Sequence, residues 1–202
     1  MQINTLNNQS RARAKVGQLD SESGITILEM VIAMIILTVG LLGLAASIGY
    51  AVTVSNRGRN LTNTKLLAVS LLEQMETLRN TEQLTFGQIA NAGAVDNTGA
   101  TWNFAGFPTG YNPISVNPGP DGIFGTDDDM INPGPDNTYG TGDDFTDPTW
   151  GIAGYSREIV ITNLNTNLKR IQVTVRYPDG GGTQRSLVAI SYLNNDARAN
   201  YH

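Results

Sequence analysis

Two stretches of this chain share a spelling that points to cation chemistry. Asn117 to Asp129 reads NPGPDGIFGTDDD and Asn132 to Asp144 reads NPGPDNTYGTGDD, a repeat with an offset of 15 residues. Each unit carries an Asp behind a Pro (Asp121, Asp136) and an acidic cluster further on (Asp127, Asp128 and Asp129; Asp143 and Asp144), with Asp147 following. No Lys or Arg occurs from Asn80 to Ser156, so this charge has no basic partner nearby in sequence. Such a density of carboxylates repels itself unless a cation neutralises it. Ca²⁺ accepts about six to eight oxygen ligands in irregular geometry, and the interspersed glycines allow backbone carbonyls to turn inward. The expected ligands are Asp121, Asp127, Asp129, Asp136, Asn137, Asp143 and Asp144, with the ion in a structural role. The spacing does not fit the EF-hand loop, and the stricter octahedral demand of Mg²⁺ suits it less well. The competing reading is an acidic solvated loop that aids solubility.

Other chemistries are poorly served. Cysteine is absent, which removes thiol catalysis, thiolate metal sites and disulfide staples, and the one histidine, His202, is the last residue given. There is no phosphate-binding glycine loop, and the carboxylates that could pair for acid–base work lie in the repeat. The expectation is that the chain is not an enzyme. A formal charge of −5, with no basic patch outside the N-terminal stretch, argues against nucleic-acid binding.

The repeat sits in a region, residues 81–155, rich in Gly, Pro, Asn and Asp. A loop of that length in a compact domain is either functional or disordered, and its aromatics (Phe86, Trp102, Phe104, Phe107, Tyr111, Trp150) favour short irregular elements packed on a body. The body is readable on both sides. Ser156–Thr162, Lys169–Arg176 and Ser186–Tyr192 have strand character, and Ile171, Val173 and Val175 alternate onto one face. Pro178 to Gly182 reads PDGGG, a strong turn signal, and Asn163–Asn167 makes the other connection. Residues 156–193 are expected to form an antiparallel sheet, with 194–202 as a tail. Upstream, residues 55–80 continue a helix. Leu61, Ala68, Leu71, Leu72, Met75 and Leu78 make its apolar stripe, with Arg57, Arg59, Lys65, Glu73, Glu76 and Arg79 largely on the other side.

That helix begins in something different. From Gly24 to Val54 the only charged residue is Glu29. About 20 apolar residues at ~1.5 Å rise each span a bilayer core of ~30 Å, so this run spans and protrudes. A carboxylate in hydrocarbon costs at least ~2.5 kcal/mol, so Glu29 needs a partner or must snorkel to the interface. Arg11, Arg13 and Lys15 precede the run and favour a cytoplasmic leader with an exported C-terminus. A secretory signal has an apolar region of only ~7–15 residues, although Leu44-Ala45-Ala46-Ser47 offers a weak signal-peptidase site; an uncleaved anchor is a further alternative. Gly40, Gly43 and Gly49 fit close helix packing in a membrane and, equally, a segment that loosens when the helix leaves the bilayer.

A glycine, a short stretch ITIL, a glutamate fifth after the glycine, and an unbroken apolar run resemble the type IV prepilins and pseudopilins. Ile36 to Ala46, ILTVGLLGLAA, is most similar to the PilV-type minor pilins and next to the minor pseudopilins of type II secretion. Ile25, where the family usually has Phe or Met, and the order ITILE in place of FTLIE are departures. The resemblance covers about the first sixty residues. It implies a leader over 1–24, cleavage between Gly24 and Ile25 by a prepilin peptidase, N-methylation of Ile25, and a transmembrane and filament-core helix over 25–54. Glu29 would meet the amino terminus of an adjacent subunit. The implied fold is α+β and pilin-like: a long N-terminal helix packed on a C-terminal antiparallel sheet, with a long Asp/Gly-rich loop carrying the repeat at 117–147. Other pilin subunits, the peptidase/methyltransferase and the inner membrane are the implied partners, before placement in an extracellular pilus or a periplasmic pseudopilus. Some pseudopilins bind calcium in the corresponding region. The alternative is a membrane-tethered, calcium-dependent binding or adhesion module.

Overall fold

The structure is a computed structural model that describes residues 26–180 and 182–195. Its elements are α1 (Ile27–Asn80), β1 (Asn112–Ser115), β2 (Ile131–Asn132), β3 (Phe145–Thr146), a one-turn 3-10 helix (Pro148–Trp150), β4 (Gly151–Asn165), β5 (Leu168–Pro178) and β6 (Gln184–Asn194). The chain divides into two compact units, Met1–Ser47 and Ile48–His202. One long N-terminal apolar helix and a C-terminal antiparallel sheet are therefore present. Gly24, Ile25 and the leader 1–24 lie outside the described residues, as does the tail beyond Asn195.

In the first unit α1 is long and apolar enough to cross a membrane, and none of its apolar window is buried within the chain. The helix runs unbroken through Gly40, Gly43 and Gly49.

In the second unit the helix acquires an inner face. Ala68, Leu71, Met75 and Leu78 are buried at helical spacing in one cluster with Ile159, Ile171, Val173, Val175 and Leu193 of the sheet, and Thr64 is buried one turn before them. Burying each large aliphatic side chain is worth about 1.5–3 kcal/mol, so this stripe, not helix propensity, holds the segment. Two members of the sequence-derived stripe differ: Leu61 is exposed and Leu72 only partly buried. Arg79, expected on the polar side, is instead buried, because it lies one residue beyond Leu78 where the following loop folds back over the helix end.

The sheet has the order β1-β4-β5-β6, all antiparallel. The three predicted strands are β4, β5 and β6, each longer than its apolar core suggested. Ile159 faces Val173 across β4/β5, and Val175 faces Leu187 across β5/β6, so one face is largely apolar, with Arg157 opposite Val175 and Lys169 opposite Leu193 as its buried charges. The turn after Pro178 closes through the Asp179 amide donating to the Thr183 carbonyl at 2.9 Å. The fourth strand, β1, is absent from the sequence reading because Asn-Pro-Ile-Ser has almost no strand signal. Pro113 cannot donate to a ladder, which confines β1 to the edge and accompanies a register irregularity between Pro113 and Ser115.

The region between helix and sheet packs on the body, with Leu84, Ile89, Phe104, Phe107, Ile114 and Ile123 in the core. Phe104 and Phe107 meet edge-to-face at 5.3 Å. Polar side chains fix the backbone between them. Asn91 acts as a strand substitute, donating to the Ile159 carbonyl and accepting from the Ile161 amide, both at 2.8 Å. Gln88 donates to Asn97 Oδ1 and to the Trp102 carbonyl.

Candidate functional site

Two places carry the sequence-predicted chemistry, one in each unit. In the first, Thr26 and Glu29 form a capping box. The Thr26 amide donates to Glu29 Oε2 at 2.9 Å, and the Glu29 amide donates to Thr26 Oγ1 at 3.2 Å. Two orphan amides of the first helical turn are thereby satisfied. Within the single chain, then, the carboxylate that needs a partner has a local one. The signal lies in the spelling T-I-L-E before an apolar run, where a threonine and a glutamate three residues on can cap each other's amides.

In the second unit the repeat is real in three dimensions. Asn117 Oδ1 accepts from the Gly119 amide at 2.9 Å, and Asn132 Oδ1 from the Gly134 amide at 3.1 Å. Asp121 Oδ1 accepts from the Ile123 amide at 2.7 Å, and Asp136 Oδ1 from the Thr138 amide at 2.9 Å. The Asp121 amide reaches Asp128 Oδ2 at 3.3 Å, and the Asp136 amide reaches Asp143 Oδ2 at 3.4 Å. Asp129 Oδ2 accepts from the Gly125 amide at 2.9 Å, and Asp144 Oδ2 from the Gly140 amide at 2.7 Å. The glycines at 119 and 134 are obligatory. Both have φ near +70° (69° and 67°), and a Cβ would collide with Asp128 in one unit and Asp143 in the other. A third start follows: Asp147 caps the 3-10 helix, its Oδ1 accepting from the Thr149 amide at 2.9 Å, and its Oδ2 receives Asn132 Nδ2 at 3.1 Å. β2 and β3 pair antiparallel, Ile131 with Thr146 and Asn132 with Phe145, and tie the second unit's ends together.

These contacts place the proposed ligands individually. Asp121, Asp136, Asp143 and Asp144 direct carboxylate oxygens at amides and hydroxyls of their own loop. Asn137 has φ 59° and holds the left-handed turn position that Gly122 fills in the first unit. Asp127 is exposed and lines a depression with Asp121, Asp128 and Trp102. Among the described residues no group of three or more acidic or histidine side chains is arranged to hold a metal ion.

Asp129 has a partner within the chain. Its neutralising cation is a residue of the sheet: Arg157 Nη2 sits 2.6 Å from Asp129 Oδ2, with both side chains buried. The empty stretch from Asn80 to Ser156 hid this partner, which comes from the first basic residue after it. Burial pushes the Asp129 carboxyl up and the Arg157 guanidinium down from their ordinary values, while the Gly125 and Thr126 amides and the pairing itself oppose the shifts. Burial also drives Asp121 up to about 6, against the Ile123 amide, with Asp128 and Asp129 adding repulsion. In the second unit the Thr141 hydroxyl holds Asp143 below the usual carboxylate range, and among the described residues no ion pair reaches it.

No family model, curated protein or solved structure matches the chain.

Proposed function

We propose that this chain is a structural subunit of a type IV pilus-like filament, of the minor-pilin type, cut between Gly24 and Ile25 and assembled through α1. The observation that carries the reading is the first half of α1. It is a helix with every large apolar side chain exposed from Ile27 to Val54, and Glu29 is the only charge along it. In water such a surface is unstable; it must be covered by lipid and then, on this reading, by like helices of neighbouring subunits. Glu29 sits in the first turn, where a neighbour's positively charged amino terminus would supply the ionic partner that hydrocarbon withholds. Methylation of that amine retains its charge. The capping box gives Glu29 a resting partner before assembly.

The same helix serves a minor pseudopilin of type II secretion, the runner-up within this class. A membrane-tethered binding or adhesion module is the alternative outside it. Shearing cells and assaying the fibre fraction separates the classes. A filament subunit appears in sheared fibres, and Glu29→Gln leaves it in the membrane; a tethered module stays in the membrane fraction with or without the substitution.

For the loop we propose a structural calcium ion. With Asp129 neutralised by Arg157, the carboxylates of the second repeat and the Asp121–Asp127 side of the first are donors that no ion pair reaches among the described residues. The donor set is all oxygen, which suits a hard cation. Thermal melting of the full-length protein in detergent, with calcium or with a chelator, tests this. An unchanged midpoint removes the ion.

A further inference from the structure

The four-stranded sheet has two edges, and only one of them is guarded. β1 is four residues long, contains Pro113 and slips register beside it. Shortness, proline and irregularity keep an edge from pairing with a foreign strand. β6 has none of these. It runs for 11 residues in unbroken register with β5, without proline, and its one charged residue is Arg185 near its start. Leu187, Ala189 and Leu193 of β6 turn toward the core, so the alternate residues occupy the outer face. There Val188, Ile190 and Tyr192 are 52, 50 and 61% exposed. A row of large apolar side chains on an unguarded edge marks a surface that a partner covers.

The charges beside this row are positive. Between residues 166 and 195 Lys169, Arg170, Arg176 and Arg185 stand against one acid, Asp179. Arg170 faces Tyr192 and Arg176 faces Ser186 on the outer face, where β5 and β6 carry no carboxylate; Glu158 lies one strand away, on β4. Arg170 Nε is buried with no acceptor among the described residues. The complementary surface is on the same chain. The second repeat, 132–147, holds Asp136, Asp143, Asp144 and Asp147 with no basic residue, and it exposes Tyr139 and Phe145. It leaves the body beside β1, where Ser115 pairs with Gly151 and the Asp147 amide donates to the Met130 carbonyl at 2.8 Å. That is the edge opposite β6 in the strand order, so a repeat that meets β6 comes from another copy.

We propose that the outer β5–β6 face docks the second repeat of a second copy of this chain. Tyr139 and Phe145 of one copy cover Val188, Ile190 and Tyr192 of the next, and Arg170 and Arg176 meet the repeat's carboxylates. Apolar anchors at the centre with charges around them are the usual anatomy of a specific interface. Two different patches joined head to tail form a heterologous contact, which extends into an open array unless its rotation closes a ring. The inference deepens the filament reading, and its place in a fibre rests on that reading.

The chain has no cysteine, so disulfide trapping has no background. Full-length Tyr139→Cys and Ile190→Cys proteins, in detergent with a chelator, are mixed, mildly oxidised and resolved on a non-reducing gel. The mixture gives a dimer several-fold above either variant alone, and the doubly substituted chain gives a ladder. Adding Asp136→Asn and Asp143→Asn to the Tyr139→Cys chain lowers the yield several-fold, whereas adding Asp127→Asn leaves it unchanged. Ile190→Cys dimerising alone as well as in the mixture would make β6 its own partner and overturn the proposal. So would a yield indifferent to the repeat's charge. Absence of a dimer both here and with a second pair, Phe145→Cys and Val188→Cys, overturns it too, including the case in which a lipid surface covers the face. The fibre assay separates the two readings. Protein found in sheared fibres without the cross-link loses the contact and keeps the filament; a cross-link in protein absent from fibres keeps the contact and loses the filament.

Discussion

The two loop units are copies that met different fates. Four side chain-to-amide bonds recur at matching positions in both, from Asn117 and Asn132 to Asp129 and Asp144, while the Thr126 amide's bond to Asp129 has no counterpart in the second. Yet Ile123 is fully buried where its counterpart Thr138 is exposed, and Asp129 is buried on Arg157 where, among the described residues, no guanidinium pairs with Asp144. The first unit has become part of the core, and Gln74 of α1 clasps it, Nε2 donating to the Phe124 carbonyl at 3.0 Å. The second projects Tyr139 and Phe145 toward solvent. The skeleton of side chain-to-amide bonds is local and needs no body to lie on. What makes a copy structural is an apolar side chain and a cation from outside the repeat.

The sharpest way to break this comparison is Asp129→Asn against Asp144→Asn. Stranding buried Arg157 costs about 3–5 kcal/mol, whereas the exposed copy changes by less than about 1 kcal/mol. Denaturant unfolding of the full-length protein in detergent reads both, and equal losses would contradict the asymmetry. Next, Ile123→Ala leaves a core cavity and costs about 2–5 kcal/mol, while Thr138→Ala stays within about 0.5 kcal/mol. Gly119→Ala and Gly134→Ala impose the same local strain, on the order of 1–3 kcal/mol, but hydrogen exchange should report it across the core in the first and only within residues 132–147 in the second.

The smallest effect is a matter of pH. Asp121 titrates near 6 in the fold and near 4 unfolded, so the native state holds the proton more tightly. Its charge therefore opposes folding, with a penalty absent below about pH 4 that grows as pH rises to about 6 and is constant above. Asp121→Asn, which keeps the acceptor for the Ile123 amide, should raise Tm at pH 7.5 in chelator and leave it unchanged near pH 3.5. Saturating calcium should reverse the sign at pH 7.5 if Asp121 is a ligand, which makes the same variant a test of the ion.

Long-range periodicity was legible and short-range chemistry was only half so. The apolar run and the alternating Ile171, Val173 and Val175 announced α1 and the sheet, because burial imposes a period. β1 was not legible, since Asn112–Ser115 is a strand only by virtue of the β4 edge beside it. The repeat was obvious as spelling, but the amides and hydroxyls that its carboxylates accept from within their own loop were not. Arg157 was invisible as a partner, for sequence distance says nothing about which strand a loop lies on. Arg79 was misplaced because a helical wheel assumes a free helix end, and here the chain folds back over it.

The filament reading turns on the first residue of the mature protein. Intact mass and N-terminal sequencing of the protein recovered from cells decide it most directly. A filament subunit begins at N-methylated Ile25, with Glu29 as its fifth residue. A chain beginning at Met1, or one beginning near Ser47 with the apolar helix removed, would contradict it.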